Sequence, residues 1–159
     1  MTDVLEELHG GYIVARATAD RVSAIVGLLA DDGLGAGRER PIDDPVYTDA
    51  FRAIGADPNQ LLVVVLDDSD RVVGTLQLTF IPGLSRGGAL RAQIESVRVA
   101  STERGSGLGS ALLEWAIGYS RDRGARLLQL TSDKSRSSAI AFYERLGFVA
   151  SHEGMKLAL

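Results

Sequence analysis

Three glycines at alternate positions, Gly105, Gly107 and Gly109, follow closely on the apolar alternation of Val97 and Val99 and open onto a strongly amphipathic run. Glycine lets a backbone turn sharply and approach a ligand closely. The first amides of a helix lack internal partners and sit at the positive end of its dipole. A strand, a glycine-rich turn and a helix in that order make an anion cradle, and a pyrophosphate fits it. Two nucleotide signatures do not match. A P-loop needs Gly-x-x-x-x-Gly-Lys-Ser/Thr, and no lysine follows these glycines. The dinucleotide fingerprint would need a glycine where Ser110 stands, and it belongs to the first strand of a fold rather than the third long one.

Other chemistry is limited by composition. The absence of cysteine removes disulfides, thiolate metal sites and an acyl-cysteine intermediate. Only His9 and His152 are present, near opposite ends, so neither a histidine metal site nor a serine hydrolase triad is expected. The formal net charge is −4, and the basic residues are scattered without an aromatic-interleaved stripe, so a small molecule is expected as partner rather than nucleic acid. At 159 residues, 45% hydrophobic and 24% charged, the chain reads as one globular domain, residues 1–159, with no apolar run that spans a bilayer. Met1 to His9 lacks the basic start and apolar stretch of a signal peptide, which makes a cytoplasmic location the default expectation.

The elements that must position the cradle follow from periodicity. Tyr12 to Ala17 alternates like a strand, and Asp20 is placed to cap a helix with Val22, Ile25, Val26 and Leu29 on one face. Residues 31–44 read as a loop, and Tyr47 to Ile54 as a short helix closed by Gly55 and Pro58. Leu61 to Leu66, a turn at Asp67 to Asp70, and Val72 to Ile81 describe a hairpin ended by Pro82 and Gly83. After the cradle, Leu108, Ala111, Leu112, Trp115, Ala116 and Tyr119 share one helical face, with Gly124 as terminator. Leu127 to Leu130 reads as a strand. Ser137 or Ser138 is placed to cap a helix carrying Ala139, Phe142, Tyr143 and Leu146 inward, and Phe148 to Ala150 and Met155 to Leu159 read as closing strands. His9 reads as part of a frayed terminus, His152 as an exposed turn residue and Trp115 as core.

The strand that leads into the cradle changes phase. Ala92 and Ile94 occupy even positions, Val97 and Val99 odd ones. One extra residue around Glu95 and Ser96, a β-bulge, restores a common facing, and bulges re-aim groups beside active sites. A strand buried on both faces would show the same letters without a bulge.

Arg104, Gly107 and Gly109 match Gln/Arg-x-x-Gly-x-Gly/Ala, and Ala139 to Phe148, Ala-Ile-Ala-Phe-Tyr-Glu-Arg-Leu-Gly-Phe, matches Ala-x-x-Phe-Tyr-Glu-x-x-Gly-Phe. With both blocks in order, the chain resembles the GNAT superfamily of acetyl-CoA-dependent N-acetyltransferases, bacterial stand-alone type. The resemblance is close from Glu95 to Phe148, whereas Tyr12 to Ile81 agrees only in element order. It implies an α/β fold: a mixed, mostly antiparallel central sheet of about six or seven strands flanked by about four helices. It also implies that the amides of Arg104, Gly105, Ser106, Gly107, Leu108 and Gly109 bind the CoA pyrophosphate. Val97 and Val99 would pair with the pantetheine arm through main-chain groups, in a slot where their strand splays from the strand at Leu127 to Leu130.

The same resemblance assigns Tyr143 to protonating the departing thiolate, the alternative being a core aromatic. It assigns Glu95 to general base, directly or through water, the alternative being a strand charge paired with Arg91 or Arg98. Arg136 stands where relatives often carry an asparagine that contacts the arm. With Lys134, it reads either as a ligand of the CoA 3′-phosphate or as a loop charge, and Ser137 or Ser138 as the substitute arm contact. The expected activity is direct, ternary-complex acetyl transfer from acetyl-CoA to a primary amine of a small molecule, with no metal. The acceptor would enter over Asp31 to Ala56 and Gly83 to Ala89, with Asp43, Asp44 and Tyr47 as a candidate amine-recognising edge. The alternatives are a protein lysine or N-terminal acetyltransferase and a non-catalytic acyl-CoA-binding sensor; a homodimer is compatible with each.

Overall fold

A computed structural model describes residues 2–31 and 37–159, so positions 32–36 of the expected 31–44 loop lie outside the described residues. Six strands form one sheet in chain order: β1 (Val4–Glu7), β2 (Ile13–Arg16), β3 (Gln60–Leu66), β4 (Val72–Ile81), β5 (Arg91–Val99) and β6 (Leu127–Gln129). The first five pair antiparallel in succession. β6 joins β5 parallel, and a parallel neighbour requires a crossover, here supplied by a helix. The helices are α1 (Val22–Ala30), α2 (Pro45–Ala56), α3 (Ser85–Gly88), α4 (Leu108–Asp122) and α5 (Ser137–Arg145). α4 is that crossover.

β3 and β4 run through the middle of the sheet, and β3 is apolar throughout Leu61 to Leu66, where apolar residues pack on both faces. On one face Val63, Val65, Leu76, Leu78, Ala92 and Ile94 pack with Leu108, Leu112 and Ala116 of α4, and the ring side chains of α5 close the edge of this cluster. On the other face α1 places Ile25 over Ala15, Val64 and Leu66. The hairpin between β3 and β4 is fixed by Asp67, whose carboxylate accepts from the amides of Ser69 and Arg71 and from the Arg71 guanidinium. These bonds hold its carboxyl below the usual range. Gly74 is required by close approach: a Cβ there would lie 3.1 Å from Val65 and 3.3 Å from the Arg98 carbonyl.

The phase break in β5 is a bulge. Thr75 pairs with Arg98 and Gln77 with Glu95, so Ser96 and Val97 together face the single residue Leu76. Ser96 takes a left-handed φ of 55°, and Val97 and Val99 thereby join Ala92 and Ile94 on the same core.

Several boundaries depart from the sequence reading. The amino-terminal segment is not frayed: Val4–Glu7 pairs with β2 as an edge strand, masked in the sequence by Glu6 and Glu7. A 3-10 turn, Ala19–Arg21, precedes α1, and Asp20 makes no capping bond. α2 begins earlier than expected, at Pro45, with the Asp44 carboxylate accepting from Val46. α3 is a single left-handed turn, with Arg86 at φ 55° and Gly87 at φ 67°. Neither Ser137 nor Ser138 caps α5; Arg136 is its N-cap, without a side-chain bond. No seventh strand forms among the described residues. Met155 and Leu157 are 95% and 86% exposed, and residues 148–159 make no ladder with β6. No helix of the described residues is long and apolar enough to cross a membrane.

Candidate active site

The cradle is built as β5 runs out. A 3-10 turn, Ser101–Glu103, reverses the chain, and Arg104 is extended. Gly105 and Gly107 then take φ of 86° and 87°, a left-handed region that L side chains rarely adopt. Around both, the space a Cβ would occupy is open. Three of the six amides expected to bind phosphate are used internally. Arg104 N donates to Ser101 O, Ser106 N to Glu103 O, and Leu108 N to Ser106 Oγ. The amides of Gly105, Gly107, Gly109 and Ser110 have no partner among the described hydrogen bonds. Leu108 itself is 1% exposed and serves the core with its side chain. Gly109 lies beside the Phe142 ring and Val99, where a Cβ would make ordinary contact at 3.6 Å and 3.9 Å. The cradle is tied to the far hairpin by Tyr12, whose hydroxyl donates to Glu103 Oε2 at 2.5 Å. That bond, with burial, raises the phenol pKa.

The slot lies alongside β5. β5 and β6 pair only at Arg91, Ala92 and Gln93 with Leu127, Leu128 and Gln129; beyond that the strands part. The gap, about 70 Å³, has Glu95, Val97 and Arg98 on one wall and Ser132, Arg136 and Tyr143 on the other. The bulge lies three residues past the last β5–β6 pair, so the extra residue that restores core facing stands in the stretch of β5 that lines the gap. Arg98 Nη1 donates to the Val97 carbonyl at 2.8 Å, so an arm that binds this carbonyl competes with the chain's own guanidinium. The Ser132 hydroxyl is buried in the wall without a protein partner.

Tyr143 stands edge-on between Phe142, at 5.3 Å, and Phe148, at 5.9 Å. Burial raises its pKa above the ordinary value near 10, against a smaller lowering by Arg136 and Arg98. Its hydroxyl therefore stays protonated across the neutral and mildly alkaline range.

The structure thus brings Glu95, Val97, Arg136 and Tyr143 together in the slot. Gly105, Gly107 and Gly109 lie at the cradle, and Val99 is between the two on β5. Arg104 is exposed at the cradle's rim. Ser138 lies on the first turn of α5, exposed and outside the slot lining. Lys134 pairs with Glu153 at 2.5 Å rather than lining the slot. On the expected acceptor edge, Asp44 is committed to capping α2. Tyr47 donates to Glu39 at 2.7 Å and accepts from Arg40 N, which holds the preceding loop to α2. Arg98 and Ser132 are slot residues that the sequence reading did not assign. Alternation along the strand places Arg98 on the opposite face from Val97 and Val99, but nothing in the letters marks Arg98 or Ser132 as a slot residue.

The model of the acetyltransferase (GNAT) family matches residues 22–148. The chain belongs to this family, whose acyl donor is acetyl-CoA. An aminoalkylphosphonate N-acetyltransferase of Salmonella typhimurium (strain LT2) is 32% identical over 70% of this chain and 71% of its own length. A glucosamine 6-phosphate N-acetyltransferase of Trypanosoma brucei brucei is 38% identical over 56% of this chain, and the match spans only 58% of that relative. Among solved structures, a transcriptional regulator from Bacillus halodurans C-125 superposes with a TM-score of 0.88 at 45% identity, covering 93% of this chain and 99% of its own.

Proposed function

We propose that the chain transfers the acetyl group of acetyl-CoA to a primary amine of a small molecule, by direct attack within a ternary complex. The observation that carries this reading is the slot between β5 and β6, which holds Tyr143 and Glu95 on facing walls and runs along β5 toward four unpartnered amides at the start of α4. The named relatives that act on small amines support it.

The amides of Gly105, Gly107, Gly109 and Ser110, with the dipole of α4, bind the pyrophosphate. Arg104 at the rim and Arg136 in the slot wall add positive charge along the same path. Val97 and Val99 offer main-chain groups to the pantetheine arm. Acetyl-CoA supplies the acyl group as a thioester. An amine of pKa about 10 is mostly ammonium at pH 7, so it must lose a proton before its lone pair attacks. Glu95 takes that proton, directly or through water. As the C–N bond forms and the C–S bond breaks, Tyr143 donates its proton to the departing sulfur and the product nitrogen sheds its remaining proton to solvent; Glu95 then releases its proton to solvent and the Tyr143 phenolate takes one back. No group of the enzyme becomes acylated.

Calorimetry with acetyl-CoA tests the cradle, and a thiol-release assay across a panel of small amines tests the chemistry. Saturable binding with release by at least one small amine is the expected result. Release with lysine peptides alone would instead support a protein acetyltransferase. The likeness to the Bacillus halodurans regulator favours a second reading, a non-catalytic acyl-CoA-binding module. Binding without release by any amine would support that one, and no binding would overturn both.

A further inference from the structure

The sheet face opposite the main core carries an uncharged polar belt that no part of the proposed chemistry uses. In register across four strands, Gln60 of β3 pairs with Thr79 of β4, Thr79 with Gln93 of β5, and Gln93 with Gln129 of β6. Side chains of directly paired residues share a face. Here that face is the one turned away from Leu78, Ala92 and Leu128, which pack in the core. The belt is knitted together. Gln60 Oε1 accepts from Thr79 Oγ1 at 2.7 Å and from Gln77 Nε2 at 2.8 Å, and Gln93 Oε1 accepts from Gln129 Nε2 at 2.6 Å. Every member is half-exposed, because α1 covers Val64 and Leu66 further along the same face. One pair beyond the belt, Gln77 faces Glu95, so the candidate base stands on the belt's own face at the mouth of the slot.

We propose that this amide-and-hydroxyl belt is the floor of the acceptor site and selects a primary amine carried on a polyhydroxylated skeleton. The inference rests on the acetyl-transfer reading of the slot. Hydroxyl groups both donate and accept, as the belt does: the carbonyl oxygens of Gln77 and Gln129 accept none of the described hydrogen bonds, and Gln93 Nε2, which donates one hydrogen to the Ile94 carbonyl at 3.5 Å, keeps a second. An alkyl amine seated there strips water from these groups and returns no hydrogen bond, which a polar site penalises strongly.

The test compares glucosamine with cyclohexylamine by thiol release at one pH, in the wild type and in Gln77→Leu, Gln93→Leu and Thr79→Val. The readout is the ratio of the two kcat/KM values, from which the difference in amine pKa cancels between variants. The expected result is a fall in that ratio of about tenfold in each variant, the equivalent of about one hydrogen bond. A ratio that stays within about twofold of wild type in all three overturns the floor. Thr79→Val is nearly isosteric and carries the test if a glutamine variant fails to fold. Binding of acetyl-CoA with no release by any amine overturns the acetyl-transfer reading, and this inference with it. Release with a collapsed ratio already in the wild type overturns this inference alone.

Discussion

Tyr143 is the residue on which the proposed chemistry turns most directly. Its hydroxyl is protonated throughout the working range because burial raises its pKa, so it suits the acid role and not the base role. Tyr143→Phe keeps the ring between Phe142 and Phe148 and removes only the proton. Turnover is expected to fall by about a hundredfold with the acetyl-CoA dissociation constant within about twofold, measured by steady-state kinetics and calorimetry. Unchanged turnover would remove Tyr143 from the acid role. The pH dependence follows from the sign of the shift. Activity should rise with pH as the acceptor amine deprotonates, and the loss caused by ionising Tyr143 should appear only above pH 10. A descending limb near pH 8 that vanished in the phenylalanine variant would contradict the upward shift.

At the scale of elements, α4 does two tasks: its first turn faces the ligand and its apolar stripe anchors the sheet. Leu112 and Leu113 are fully buried, and Leu112→Ala should lower unfolding stability by about 2–5 kcal/mol in a denaturant titration. A loss below about 1 kcal/mol would mean that the α4 stripe does not anchor the core. The cradle has its own brace in Tyr12, ninety-one residues away in sequence, which fixes Glu103. Tyr12→Phe frees that carboxylate beside an anion site, so acetyl-CoA affinity should fall by about three- to tenfold with kcat little changed. An unaltered affinity would show that the brace is only structural.

α4, β3, β4 and the bulge were legible because each wrote a periodicity, or a break in one, that burial enforces. The slot was legible only through the family resemblance, since its two walls come from segments separated by more than thirty residues of chain. The belt was not legible at all, because Gln60, Thr79, Gln93 and Gln129 become neighbours only through strand register. Edge strand β1 and the lost seventh strand failed for opposite reasons. Glu6 and Glu7 hid a strand that pairs, while Met155, Leu157 and Leu159 spelled an alternation that finds no partner among the described residues.

For the molecule as a whole, the binding of a polyanionic donor by a chain of net charge −4 requires positive potential concentrated at one place. In the proposed reading the start of α4, Arg104 at the cradle and Arg98 and Arg136 in the slot lining supply it. Acetyl-CoA affinity should therefore weaken several-fold between about 50 mM and 500 mM salt, as the screening length shrinks, while the melting temperature moves little. Affinity independent of salt would place recognition in the slot's uncharged contacts. The carboxy-terminal stretch belongs to the same scale. Because Lys134–Glu153 is an exposed pair and the apolar side chains beyond it are bare, removing residues 153–159 should change the melting temperature by no more than about 2 °C. A larger drop in a thermal scan would show that the segment packs against the domain.

The bulge also separates two kinds of damage that a mutation can do. Losing one residue from a central strand ordinarily reverses the facing of everything after it. At Ser96 the arithmetic runs the other way. Without it, Val97 would stand opposite Leu76, and Val97 and Val99 would still follow Ala92 and Ile94 onto the same core. A single-codon deletion at this position would leave a regular, well-paired strand. The lining of the slot, to which Ser96 contributes, would change. Ser96 is thus dispensable to the register of the strand, and what it adds lies at the slot.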